Sequence, residues 1–159
     1  MALTGAKADN FETGLLNYIF LGTTTNVHTG TNLWVGLFTS NAGVPAIADA
    51  AQYAAYEPDS ANGYQRVQVS AAFSTVAANG AGDLPASISN DALMDFGTST
   101  NSAGWGSVTG FFITTGANAQ ANGVGNDAMM YYGTFDTPRI VSTGDSVRIN
   151  TTNLTIKEK

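Results

Sequence analysis

Histidine and paired carboxylates are the first places to look for chemistry in this chain, and both are sparse. His28 is the single histidine and lies among Thr, Asn and Gly. A Ser-His-Asp relay would have to recruit it, yet no Gly-x-Ser-x-Gly elbow presents a nucleophile. It reads as a solvent-facing loop histidine. Zinc needs several His or Cys ligands at tight spacing, and a chain with one His and no Cys does not supply them. Two carboxylate pairs remain: Asp91 and Asp95 flank Leu93, and Glu57 and Asp59 flank Pro58. Such a pair hydrolyses glycosides when burial drives its two pKa values apart. In these surroundings both pairs read as solvated turn and edge residues. Neither has the spacing of a calcium loop, which leaves open only a calcium site assembled from distant loops.

Gly104-x-Gly106 and Gly123-x-Gly125 lack the third glycine and the strand-turn-helix setting of a dinucleotide fingerprint, so they read as turns. Four aromatic residues could form a sugar-stacking platform: Trp34, Trp105, Tyr131 and Tyr132. Adjacent residues on a strand face opposite sides, so one of Tyr131 and Tyr132 belongs to the core. Trp34 sits in an apolar run and reads as core. Trp105, beside glycines in a turn region, is the ring expected at the surface. No residue set here calls for a cofactor or a metal, and no catalytic residue is assigned.

The elements that would position these residues are mostly short strands. One helix precedes them, over about residues 9–21. Phe11, Leu15, Tyr18 and Ile19 recur as one apolar stripe, Asp9 and Glu12 resemble a capping box, and Gly22 supplies the stop. Gly14 within it costs about 1 kcal/mol relative to Ala, so packing of the stripe must hold the helix. The stripe either caps the chain's own β-core, the preferred reading, or docks on a neighbour. Residues 1–8 form an N-terminal arm. Leu33–Phe38 is a buried strand, and 41–63 a long surface loop whose 46–56 portion could make a short helix. Tyr64–Ser70 alternates Arg66/Gln68 with Val67/Val69, a strand with one wet face. Ile88–Phe96, Val108–Thr115, Met129–Phe135, Arg139–Val141, Ser146–Asn150 and Asn153–Lys157 follow, with Ser142–Asp145 as a turn. The Gly- and Asn-rich stretch 116–127 is a hairpin loop. The expected fold is mainly β, an antiparallel sandwich or barrel-like domain behind one short helix, with 9–159 as a single domain.

Composition narrows the function. Charged residues are 11% of the 159, against roughly 25% in an average soluble domain, and Gly, Ala, Ser, Thr and Asn take their place. A freely diffusing protein carries more charge to stay apart from its neighbours; this surface suits a subunit packed among copies or against a larger partner. The net charge is −6 and the six basic residues are scattered, so no clustered Lys or Arg marks a nucleic-acid partner. The longest apolar stretch, around Leu15–Leu21, is too short to span a bilayer, and the N-terminus lacks the basic and apolar regions of a secretory signal.

The order of segments resembles a family of small tailed-phage virion proteins, described as tail-fibre-like and sometimes as head decoration. The resemblance runs through Leu15-Leu16-Asn17-Tyr18-Ile19-Phe20, Gly22-Thr23, and Leu33-Trp34-Val35-Gly36-Leu37-Phe38-Thr39. It continues through Asn62-Gly63-Tyr64-Gln65-Arg66-Val67, Trp105-Gly106-Ser107-Val108-Thr109, Thr137-Pro138-Arg139 and Ser142-Thr143-Gly144-Asp145-Ser146. It implies a virion structural protein, assembled in the host cytoplasm, with no enzyme activity; the charge and hydropathy above already speak against a nucleic-acid or membrane partner. The leading expectation is a head decoration (cement) protein on the major capsid protein, forming a homo-oligomer, a trimer above all. The alternatives are a tail or tail-fibre-base protein, a carbohydrate-binding module contacting host glycans through Trp105, and, more distantly, a glycosidase using Asp91 or Asp95.

Overall fold

Short runs of β-branched and aromatic residues separated by Gly and Asn should give many short antiparallel strands. The computed structural model describes residues 3–7, 16, 18–22, 33–39, 56–69, 72–73, 86–115 and 129–158. The strands in these residues are β1 (Leu3–Lys7), β2 (Trp34–Thr39), β3 (Val67–Gln68), β4 (Ala86–Ser89), β5 (Met94–Thr98), β6 (Gly106–Thr114), β7 (Met129–Val141), β8 (Ser146–Ile149) and β9 (Thr155–Glu158). Strands β1-β7-β6-β2-β3 make one five-stranded sheet, and β4-β9 and β5-β8 make two pairs. Every pairing is antiparallel.

The core lies between the large sheet and the two pairs, as in a β-sandwich. Val35 and Leu37 of β2, Phe111 and Ile113 of β6 and Phe135 of β7 meet Met94 and Phe96 of β5 and Val147 and Ile149 of β8 in one cluster. β8 shows why its sequence was readable: Val147 and Ile149 are buried while Arg148 between them is exposed, the alternation that one wet face demands. β6 is different. Its residues Gly110–Thr114 are buried without interruption, because the central strand of the large sheet is covered on both faces. On the face turned away from the main core, the Phe38 and Phe112 rings pack at a tilt of 41° with centroids 4.7 Å apart, and both are fully buried. Trp34 lies on that second face and is only half-buried, so it is not part of the main core as its apolar run suggested.

Several boundaries depart from the sequence expectations for identifiable reasons. The arm at residues 1–8 contains an edge strand: Leu3–Lys7 runs antiparallel to Tyr131–Phe135. Met129–Phe135 and Arg139–Val141 belong to one strand, with a break in register where the sequence placed the gap. Thr134 stands opposite Gly110 and Arg139 opposite Val108, so 135–138 bulge past Thr109 alone. Pro138 fits there because a bulge needs no ladder donor from it. Ile88–Phe96 is two strands. Between them Asn90, fully buried, donates through Nδ2 to the carbonyls of Ala92 and Asn150, both at 2.9 Å, and accepts from the Leu154 N–H at 2.9 Å. A side chain that satisfies three backbone groups of two turns stops the strand. Asn90→Ala is expected to cost about 2–4 kcal/mol, since it orphans several of those groups in the interior. Urea unfolding reads it as a lower midpoint with an unchanged slope; a loss under about 0.5 kcal/mol would show that the turns hold without it.

The N-terminal helix is present at residues 16 and 18–21, and Gly22 closes it with its N–H on the Tyr18 carbonyl at 3.2 Å and φ of 69°. Phe11, Leu15, the capping pair Asp9/Glu12, Gly14, His28, Gly123 and Gly125, and the stretches 41–55 and 116–127 that the sequence reads as loop, lie outside the described residues.

Candidate docking surface

The carboxylates that the sequence offered as solvated pairs divide sharply. Glu57 is buried, 4% exposed, and meets Arg66 in a two-pronged ion pair, Nε to Oε1 and Nη2 to Oε2, each at 2.8 Å. Neither expectation for these residues survives: Glu57 is not solvated, and Arg66 is not on a wet face. Asp59 caps the turn of 3-10 helix at Ser60–Asn62, taking the Ala61 N–H at 2.9 Å. Asp91 is exposed. Asp95 uses both oxygens, one on the Gly97 N–H at 3.0 Å and one on Arg148 Nε at 2.9 Å. That surface ion pair contributes about 0–1 kcal/mol. A carboxylate whose oxygens are both engaged on neighbours is poorly placed to act on a sugar.

The Glu57–Arg66 pair is explained by the edge of the sheet. β3 pairs only with Trp34 and Val35, so β2 runs on beyond it. A buried strand edge must find partners for its backbone. The Leu37 N–H donates to the Tyr64 hydroxyl at 2.9 Å, and that hydroxyl donates to Glu57 Oε1 at 2.7 Å. Thr39 Oγ1 donates to the Tyr56 carbonyl at 2.8 Å. Residues 56–59 therefore strap the open edge of β2. The Arg66 guanidinium completes the arrangement, 5.3 Å from the centre of the Phe112 ring. Burial, then the Glu57 charge and its hydrogen bond, push the Tyr64 phenol well above its ordinary value near 10. A raised folded-state pKa means that the phenol's contribution is intact below about pH 10 and is lost as the pH rises beyond it.

Trp105 is not the exposed ring the sequence suggested. It is 8% exposed, packs edge-on against Tyr64 at 5.6 Å and 84°, and donates from Nε1 to the Asn62 carbonyl at 2.9 Å. The neighbouring glycines fold the chain back over the core, so the indole enters it. Tyr131 packs against the main core and Tyr132, its neighbour, lies on the opposite face. No flat aromatic platform is formed by these four residues. The segments Asn62-Gly63-Tyr64-Gln65-Arg66 and Trp105-Gly106 thus converge on one buried knot, and their work is to build the fold. One signal for it was available: in a chain with so few charges, Glu57 beside Pro58 and Arg66 close to Tyr64 and Val67 are candidates for a buried pair.

The surface also displays large apolar side chains. Leu16, Tyr18, Ile19, Phe20 and Leu21 of the helix are 48–77% exposed, and Ile140 and Leu93 stand out on β7 and the β4–β5 turn. Of the proposed helix face, Tyr18 and Ile19 are exposed, and Phe11 and Leu15 lie outside the described residues. Among the described residues no group of His, Cys, Asp and Glu could hold a metal ion, and no helix is long and apolar enough to cross a membrane. The site with most to offer is a contact surface.

No curated protein matches the chain. A protein-family model described as podophage GP4 fiber I protein gp80 matches residues 6–157. The match takes in every motif on which the resemblance rested, together with the buried knot and the exposed helix, and the chain belongs to this family of bacteriophage fibre proteins.

Proposed function

We propose that this chain is a non-enzymatic structural subunit of the fibre apparatus of a phage tail, held in the virion through apolar contacts. The observation that carries this reading is the match to a fibre family over residues 6–157. Three features support it. The distinctive residues Tyr64, Arg66 and Trp105 are spent inside the fold, the exposed helix offers contact area, and few charges keep the protein from packing against neighbours. The fibre description favours the tail over a cement role on the major capsid protein. A glycan-binding module through Trp105 loses its ring to the interior.

Immunogold labelling of purified particles with antibody to this chain tests the placement. Gold on the tail or its fibres is expected. Gold spread over the capsid faces would overturn the placement and favour the cement role.

A further inference from the structure

We infer that the folded domain withholds its internal arginines from proteases that cut after Lys or Arg, and so stays whole where such enzymes act. The chain has six basic residues: Lys7, Arg66, Arg139, Arg148, Lys157 and Lys159. The sequence holds none from 8 to 65 and none from 67 to 138. The residues that join β1 to β2, β3 to β4 and β6 to β7 therefore offer such an enzyme nothing. Lys7 lies in β1, Arg139 in β7, Arg148 in β8 and Lys157 in β9. Arg66, just before β3, is 5% exposed. Cuts at Lys7 or Lys157 only trim the ends, so the domain's integrity rests on the bonds after Arg66, Arg139 and Arg148.

A protease of this class takes the basic side chain into an acidic pocket of its own. Backbone held in a ladder becomes available to it only when the strand opens, so cleavage follows the population of the open state. Arg66 is closed on both counts. Glu57 already clamps its guanidinium, with both side chains fully enclosed. The backbone on either side is tied down, the Gln65 N–H on the Phe96 carbonyl at 3.0 Å and Val67 opposite Val35. Arg148 is exposed, but it stands opposite Asp95 in the β5–β8 ladder between the buried Val147 and Ile149. Drawing it into a cleft would pull both out of the core. Arg139 is the least guarded of the three. It pairs with Val108 on one side, β1 reaches only to Phe135 on the other, and 136–140 are exposed throughout. The fully buried Val141 two residues on anchors it. All of this holds wherever in the particle the chain sits.

The test incubates the full native chain with trypsin beside short synthetic peptides spanning each of the three arginines, and mass spectrometry follows every cut. Cleavage after Arg66, Arg139 and Arg148 is expected to be at least about a hundredfold slower in the chain than in the peptides, since folded-to-unfolded ratios of small domains start near 10³. Faster cleavage at any of the three would overturn the inference. A second variant separates the placement of the arginines from plain rigidity. Ser102→Arg puts a basic residue in an exposed turn of small polar residues, the kind of tip where nicking concentrates. Its chain is expected to be cut after the new residue at least about tenfold faster than after any internal arginine. A Ser102→Arg chain as resistant as the wild type would show that the placement of the basic residues is not what protects the domain, and would overturn the inference as well.

Discussion

Glu57→Ala is expected to destabilise the domain by about 3–5 kcal/mol, the usual cost of stranding one partner of a buried ion pair. Both side chains of the pair are completely enclosed, so the Arg66 guanidinium would be left without its carboxylate in the interior. The damage does not stop at the pair. Glu57 also accepts from Tyr64, whose oxygen in turn holds the Leu37 N–H on the open edge of β2. Arg66→Ala should fall in the same range, for the converse reason. The double replacement Glu57→Leu/Arg66→Met should lose less than either alanine change, because a buried pair exchanged whole for apolar groups leaves no charge behind. Chemical unfolding of the three variants measures all of this. A double replacement that loses as much as the two alanine changes together would contradict this coupling of the two side chains. The same network makes stability fall above about pH 10, where the Tyr64 phenol of the unfolded chain ionises and the buried one resists. Tyr64→Phe should flatten that alkaline slope while lowering stability at neutral pH.

Gly97→Ala and Gly63→Ala should each lower the melting temperature by about 6–12 °C, corresponding to about 3 kcal/mol in a domain of this size. Two effects combine. Gly63 and Gly97 have φ of 84° and 93°, a region that costs an L side chain about 1–3 kcal/mol. Each also faces a carbonyl oxygen at close range: a Cβ on Gly97 would overlap the oxygen of Gly63, and one on Gly63 that of Thr98. The Tyr64 bridge to Gly97 brings these two backbones together and so places the Tyr64 ring. Gly144 separates the two effects, because it has φ of 84° with nothing within 4 Å of its would-be Cβ. Gly144→Ala should therefore lose only the backbone term. Equal melting temperatures for Gly97→Ala and Gly144→Ala would contradict the close approach.

The outline of the fold was readable where one local rule governs. The alternation of Val147, Arg148 and Ile149, the turn at Ser142–Asp145 and the helix stop at Gly22 depend only on neighbours in sequence, and each is found in the structure. What escaped depends on partners far along the chain. Glu57 looks like a loop carboxylate until Arg66 and Tyr64 surround it. Arg66 alternates with Val67 as an exposed strand residue would, yet β3 ends after Gln68 and the side chain turns inward over Phe112. Trp105 sits in a glycine-rich turn, and only the placement of Asn62 and Tyr64 shows why its ring is buried. Asn90 interrupts what reads as one strand because its amide serves backbone groups near Asn150 and Leu154, a relation no short window contains. The docking surface was legible as apolar residues at helical spacing; that Tyr18 and Ile19 point to solvent was not, because burial depends on what the rest of the chain leaves uncovered.

Cryo-electron microscopy of intact particles tests the central claim most directly. Density for this domain within the tail fibres is the result expected. Density repeated over the icosahedral shell would contradict the fibre placement, and absence of the domain from the particle would contradict the structural role itself.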